Sequence, residues 1–169
     1  MPDYVFDTTV LSNFAAAGRL DLLEKRYRGV AFTTIEVSDE LRKGLKAGYA
    51  YLEPVLQRIE TSDPDAWIDI LVPQAAEERR LRAEFDDYLG AGEASCLALA
   101  ISRGLTLVTD DLAARRLARE RHVFVTGTLG ILIALVRSGA LSLAEANALL
   151  ASMIQRRYRS PVNRLDDLM

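Results

Sequence analysis

Short apolar runs that end in a carboxylate or hydroxyl residue and pass directly into helix-compatible sequence recur along this chain, and that repeat constrains its fold more than any other feature. Tyr4-Val5-Phe6 runs into Asp7-Thr8-Thr9, and Val30-Ala31-Phe32-Thr33 into Thr34. Leu105-Thr106-Leu107-Val108-Thr109 runs into Asp110-Asp111, and His122-Val123-Phe124-Val125-Thr126 into Gly127-Thr128. Strands that alternate with helices need crossover connections, which produce a parallel sheet with helices packed on it. In such open sheets, ligands and chemistry collect at the carboxyl ends of the strands, so the first junction, at Asp7, becomes the focus. Asp7, Thr8 and Thr9 are also competent helix caps, and that structural role stands beside the functional one.

Between these junctions the spacing predicts helices. One follows Asp7, with Val10, Phe14 and Ala17 on a face and Gly18 as its stop, and Arg19 to Leu23 reads as a further short helical turn. Thr34 caps a helix through Val37, Leu41 and Leu45. Tyr49 to Arg58 reads as a helix, Ser62-Asp63-Pro64-Asp65 as a turn, Trp67 to Val72 as an edge strand, and Gln74 to Tyr88 as a charged surface helix. Gly90-Ala91-Gly92-Glu93 opens a helix carrying Leu97, Ala100 and Ile101, and Gly104 closes it. Ile131 to Arg137 is the most apolar helix and is expected to pack centrally. Ser142 and Glu145 form a capping box for the last helix, and the tail from Ser160-Pro161 is expected to be loosely held.

The chain has 169 residues, half of them apolar, which suits one domain spanning 1–169. No apolar run reaches the ~20 residues of a membrane span, and Met1-Pro2-Asp3 does not open a signal peptide, so a cytoplasmic protein is expected. The single Cys96 excludes an internal disulfide and a thiolate metal cluster, and its apolar neighbours make it a small core residue. A net charge of −3 is not that of a general nucleic-acid binder. The arginines are nonetheless clustered, at Arg115, Arg116, Arg119 and Arg121 and at Arg156, Arg157, Arg159 and Arg164; each cluster alone reads as a solvated face.

Asp7, Glu40, Glu93, Asp110 and Asp111 fall at strand ends or on helices that could face one cleft. So many carboxylates repel one another unless something positive sits among them, and few basic residues are interleaved. A divalent cation resolves the repulsion. Oxygen ligands select a hard ion, Mg²⁺ or Mn²⁺, whereas zinc is disfavoured with one Cys and one His. A hard ion in an acidic cleft suits phosphoryl chemistry. There is no glycine-rich phosphate loop with Lys. Thr9 stands where an Asp-x-Asp phosphotransferase would want its second acid.

Taken in order, Asp7-Thr8-Thr9-Val10-Leu11, the Val37-x-x-Glu40-Leu41 helix, Gly92-Glu93-Ala94, and Val108-Thr109-Asp110-Asp111 followed by Ala114-Arg115 resemble a PIN-domain nuclease of the VapC toxin type. Val125 to Leu132 is similar to a segment of small prokaryotic PIN proteins. Each motif alone is weak; the ordered set, which spans nearly the whole chain, is specific. The resemblance implies a three-layer α/β/α sandwich around a mostly parallel sheet of four to five strands. It implies a metal-dependent endoribonuclease, the toxin of a toxin-antitoxin pair, with an RNA substrate, a small antitoxin partner and a homodimeric state. It puts the first metal ligand on Asp7, supported by the hydroxyl of Thr8 or Thr9. The second acid falls on Glu40, with Glu36 one turn earlier as a substitute. The third falls on Glu93, where many relatives carry Asp, and the fourth on Asp110, Asp111 or both. Of these, Asp7, Glu93, Asp110 and Asp111 are the metal ligands, and Arg115 meets a phosphate or an acid of the site. The competing reading is a PIN-like module that binds RNA or protein without cutting.

Overall fold

The structure, a computed structural model, describes residues 2–59 and 62–169. Its centre is β1 (Tyr4–Phe6), whose Val5 and Phe6 have no exposed surface. β2 (Ala31–Thr34) lies parallel to it on one side and β4 (Thr106–Val108) on the other. β3 (Asp69–Leu71) and β5 (Val125–Thr126) complete a five-stranded parallel sheet of order β3-β2-β1-β4-β5. Parallel sheets are covered on both faces, so their strands carry continuous apolar runs, as β1 and β4 do here. The chain builds outward through β2 and β3, then crosses back over β1 to β4. The seam between β1 and β4 is therefore the topological switch point of the sheet.

The helices form layers on both faces, giving the α/β/α sandwich. They are α1 (Thr8–Ala16), α2 (Leu20–Tyr27), α3 (Ile35–Lys46), α4 (Glu53–Ile59), α5 (Ala76–Phe85), α6 (Ala91–Arg103), α7 (Leu112–Glu120), α8 (Thr128–Arg137) and α9 (Leu143–Gln155). Thr34 caps α3 by accepting from the Val37 N–H at 3.3 Å. The capping box at α9 forms as expected: Ser142 Oγ accepts from the Glu145 N–H, and the Glu145 carboxylate accepts from the Ser142 N–H. The most deeply buried helix is α6, where every residue from Ala94 to Ala100 is buried, Cys96 among them. The more apolar α8 buries one stripe, Ile131, Leu132 and Leu135, against α9 and β5. Its other apolar side chains are half-exposed, so the central place expected for it belongs to α6.

Three other expectations are corrected. The edge strand is only Asp69–Leu71, because Trp67 and Ile68 donate their N–H groups to Arg58 O and bury their side chains. The strand expected from His122 shrinks to Val125–Thr126. His122 takes a left-handed backbone (φ 58°) as α7 ends, and Val123 N–H returns to Ala118 O. The tail is anchored: Leu165 is fully buried, and its N–H donates to Asn147 Oδ1 at 2.7 Å. The Asn147 amide in turn donates to Asp166 Oδ2 at 2.9 Å.

Candidate active site

Asp7 leaves β1 still in the ladder, its N–H donating to Val108 O at 3.0 Å, and then caps α1. Its Oδ1 accepts from the Thr9 N–H at 2.9 Å and the Thr9 hydroxyl at 2.7 Å, while Oδ2 accepts from the Thr109 hydroxyl across the β1–β4 seam. The cap and the candidate site are thus one arrangement. The carboxyl is wholly buried, and burial is the main reason its pKa rises to about 7. The two hydroxyls pull it down, and repulsion from Glu93 and Asp110 pushes it further up.

Thr8 and Thr9 divide their work. Thr9 holds Asp7, and its Oγ also accepts from the Asp110 N–H at 3.0 Å. Thr8 donates to Glu40 Oε2, and Glu40 Oε1 accepts from the Gly92 N–H at 2.8 Å. The carboxylate lies so flat on the start of α6 that a Cβ at Gly92 would come within 2.5 Å of it. Glu93 follows in the first turn of α6, half-buried. Its pKa is raised by burial and then by the Glu40 and Asp111 charges. Glu36, the alternative to Glu40, faces away and forms an ion pair with Arg82.

The adjacent Asp110 and Asp111 separate cleanly. Asp110 Oδ1 accepts from the Thr128 N–H at 2.8 Å; its Oδ2 accepts from the Thr128 hydroxyl and from Asn13 Nδ2 at 3.0 Å. Burial raises its pKa, against those hydrogen bonds and the nearby Arg115. Gly127 makes this fit possible, since a Cβ there would meet Asp110 Oδ1 at 2.4 Å and the Arg115 guanidinium at 2.8 Å. Asp111 caps α7, its Oδ1 accepting from the Ala114 N–H at 2.8 Å. Arg115 donates to Thr109 O at 2.9 Å.

The structure therefore brings Asp7, Glu40, Glu93, Asp110 and Asp111 into one electrostatic neighbourhood at the switch point and leaves Glu36 outside it. Thr109, Asn13 and Thr128 were not singled out from the sequence. The one usable signal was the Thr9–Asn13 spacing, which puts both on one helix face. Among the described residues, no three His, Cys, Asp or Glu side chains stand close enough to hold one ion as they lie. The donor chemistry still fits a hard divalent ion. The donors are anionic oxygens, Asp7 and Glu93 have no basic partner among the described residues, and Mg²⁺ is commonly held by one or two carboxylates with water and phosphate completing its shell.

A family model described as a PIN domain matches residues 3–169, and this chain belongs to the PIN-domain family, whose members are usually nucleases. The crystal structure of PAE2754 from Pyrobaculum aerophilum shares the fold, with a TM-score of 0.53, 24% sequence identity, and coverage of 83% of this chain and 98% of that one. No curated protein matches the sequence. Among the described residues, no helix is long and apolar enough to cross a membrane.

Proposed function

We propose that this protein is a metal-dependent endoribonuclease that hydrolyses RNA phosphodiester bonds. The observation that carries the reading is the buried Asp7 carboxyl at the β1–β4 seam, repelled by Glu93 and Asp110 and matched by no basic side chain among the described residues. In this reading Asp7 and Glu93, with Asp110 or Asp111, hold Mg²⁺ or Mn²⁺. When bound, the ion polarises the scissile phosphate and acidifies a water. Thr9 and Thr109 fix the Asp7 carboxylate. Glu40 sets the height of α6 through Gly92, and with it the position of Glu93. Asp110 ties α1 to α8 through Asn13 and Thr128, while Arg115 offers a guanidinium to a phosphate.

Asp7→Asn keeps the shape and the capping oxygen but removes the charge. It is expected to lower Mn²⁺-stimulated cleavage of single-stranded RNA at least ~100-fold while the melting profile persists. Full activity in a preparation free of contaminating nuclease would overturn the proposal. By kinship, the enzyme is the cytoplasmic toxin of a toxin-antitoxin pair, a homodimer silenced by a small protein whose segment covers the acidic cleft. Co-expression with the product of the adjacent reading frame, and sedimentation of the purified chain, test these two parts separately.

A specific observation favours a second reading, a module that binds without cutting: no three acids are gathered for a metal as they lie among the described residues. Calorimetric titration with Mn²⁺ distinguishes them, because the nuclease requires a divalent site that depends on Asp7 and the binding module has none.

A further inference from the structure

Next to the acids, a buried cluster of small polar side chains has no part in the catalytic reading. Thr33 and Thr34 end β2, and Ser95 and Cys96 come from α6, where both approach Thr34. None of them is more than 4% exposed. Hydroxyl and thiol groups shut away from water need partners for their hydrogens, and here each hydrogen has one. The Thr33 hydroxyl donates to Phe6 O at 2.8 Å, and the Cys96 thiol points at the same oxygen from 3.5 Å. The Ser95 hydroxyl donates to Gly92 O at 2.8 Å. Ser95 Oγ also lies 2.8 Å from Thr34 Oγ1; since its one hydrogen is committed to Gly92, the hydrogen between the two belongs to Thr34. Thr34 in turn accepts from the Val37 N–H, so the relay has a single direction.

The two carbonyls that end these chains share a position. Phe6 is the residue before Asp7, and Gly92 is the residue before Glu93. A carbonyl oxygen lies in one plane with the next residue's nitrogen and Cα, so a group that holds the oxygen holds the base of the acid's side chain. Gly92 is gripped on its other side too, where its N–H donates to Glu40 Oε1 at 2.8 Å. Glycine leaves this first turn of α6 with more backbone freedom than another residue would, so its place depends on contacts made from outside.

We propose that Thr34 and Ser95 are positioning residues for Glu93, and Thr33 and Cys96 for Asp7: together they set the two peptide planes from which these acids reach a bound ion. The proposal rests on the ribonuclease reading for what the acids hold. Groups one step behind a metal ligand alter affinity or activity by about 10–100-fold when removed. Here the step runs through the backbone.

The test compares Ser95→Ala, Thr34→Val, Thr34→Ser and Thr33→Val with the wild type. Mn²⁺ affinity is read by calorimetry, amide hydrogen exchange by NMR in EDTA, and RNA cleavage as separate kcat and KM. Ser95→Ala puts a strong helix former into α6, which keeps the fold. It and Thr34→Val are each expected to weaken Mn²⁺ binding about tenfold and to lower kcat with KM for RNA unchanged. In the metal-free protein both should speed exchange at the Gly92 N–H about tenfold, while the amides from Leu97 to Ala100 keep their protection. The two hydroxyls form one relay, so the double variant should be no weaker than either single one, and Thr34→Ser should restore wild-type values. Thr33→Val breaks the other branch, and its effect should add to that of Ser95→Ala. Glu78→Gln, which loosens the opposite end of α6 through Arg103, controls for stability alone: it should lower the melting temperature and leave Mn²⁺ affinity unchanged. Unchanged Mn²⁺ affinity or unchanged Gly92 exchange in Ser95→Ala, or an equal loss of affinity in Glu78→Gln, would overturn the inference and leave the nuclease reading intact. A wild type that neither binds Mn²⁺ nor cuts RNA would overturn that reading and this inference with it.

Discussion

Asp7 couples the site to pH, and the sign follows from its burial. Its folded pKa of about 7 lies above the ordinary 3.8, so the folded state holds a proton that the unfolded chain releases. In the metal-free protein the Asp7 contribution should therefore be fully present below about pH 4, be lost as pH rises through about 7, and level off beyond. The loss should be a few kcal/mol at most. Denaturant titrations in EDTA at pH 5 and pH 8 check this: wild type should fall between them by more than Asp7→Asn does, and Mn²⁺ should restore the wild type at pH 8. At this scale the acids were legible in the sequence, because a carboxylate straight after an apolar run marks a strand end. Their partners were not. Thr109 reaches Asp7 across 102 positions, and Tyr158 and Arg157 join Asp110 and Asp111 in lining one cleft from beyond α9. No local pattern carries such a pairing.

Among the elements, α5 is held to α6 by one buried carboxylate in addition to the apolar packing of Leu81 and Phe85. Glu78 on α5 accepts from Arg103 Nε at 2.9 Å and from the Gln74 N–H at 2.7 Å, and these contacts bring its pKa down to about 2 despite burial. Glu78→Gln leaves Arg103 half-satisfied and should cost about 2–4 kcal/mol in chemical denaturation. Because the pKa is depressed, the contribution of Glu78 is fully present above about 4.5 and is lost as pH falls toward 2; the variant and wild type should converge in acid. The sequence read as a charged surface helix here, since an acid that will be buried by a distant arginine looks like any other. Helices with an internal signal were readable: Thr34 ahead of α3, Gly104 after α6 and the Ser142–Glu145 box at α9. The short strands β3 and β5 were overdrawn. Apolar residues such as Trp67 and Ile68 can fill the core without joining the ladder, and periodicity does not distinguish the two fates.

For the whole molecule, the alternation of strands and helices determined the layers, and the placement of β4 beside β1 determined the site. The chain end takes part in the same core. A chain truncated after Arg159 loses the buried Leu165 and leaves Asn147 without Leu165 and Asp166, which should cost about 2–4 kcal/mol and lower the melting temperature by several degrees in calorimetry. An unchanged melt would show that the tail adds nothing. The seam itself has a consequence in time. Asp7 is synthesised 102 positions ahead of Thr109, whose hydroxyl steadies it, with the excursion through β2 and β3 between them. A polypeptide still under synthesis carries its acids unassembled, so under the proposed function the site cannot act on its own message before β4 has been made and laid beside β1.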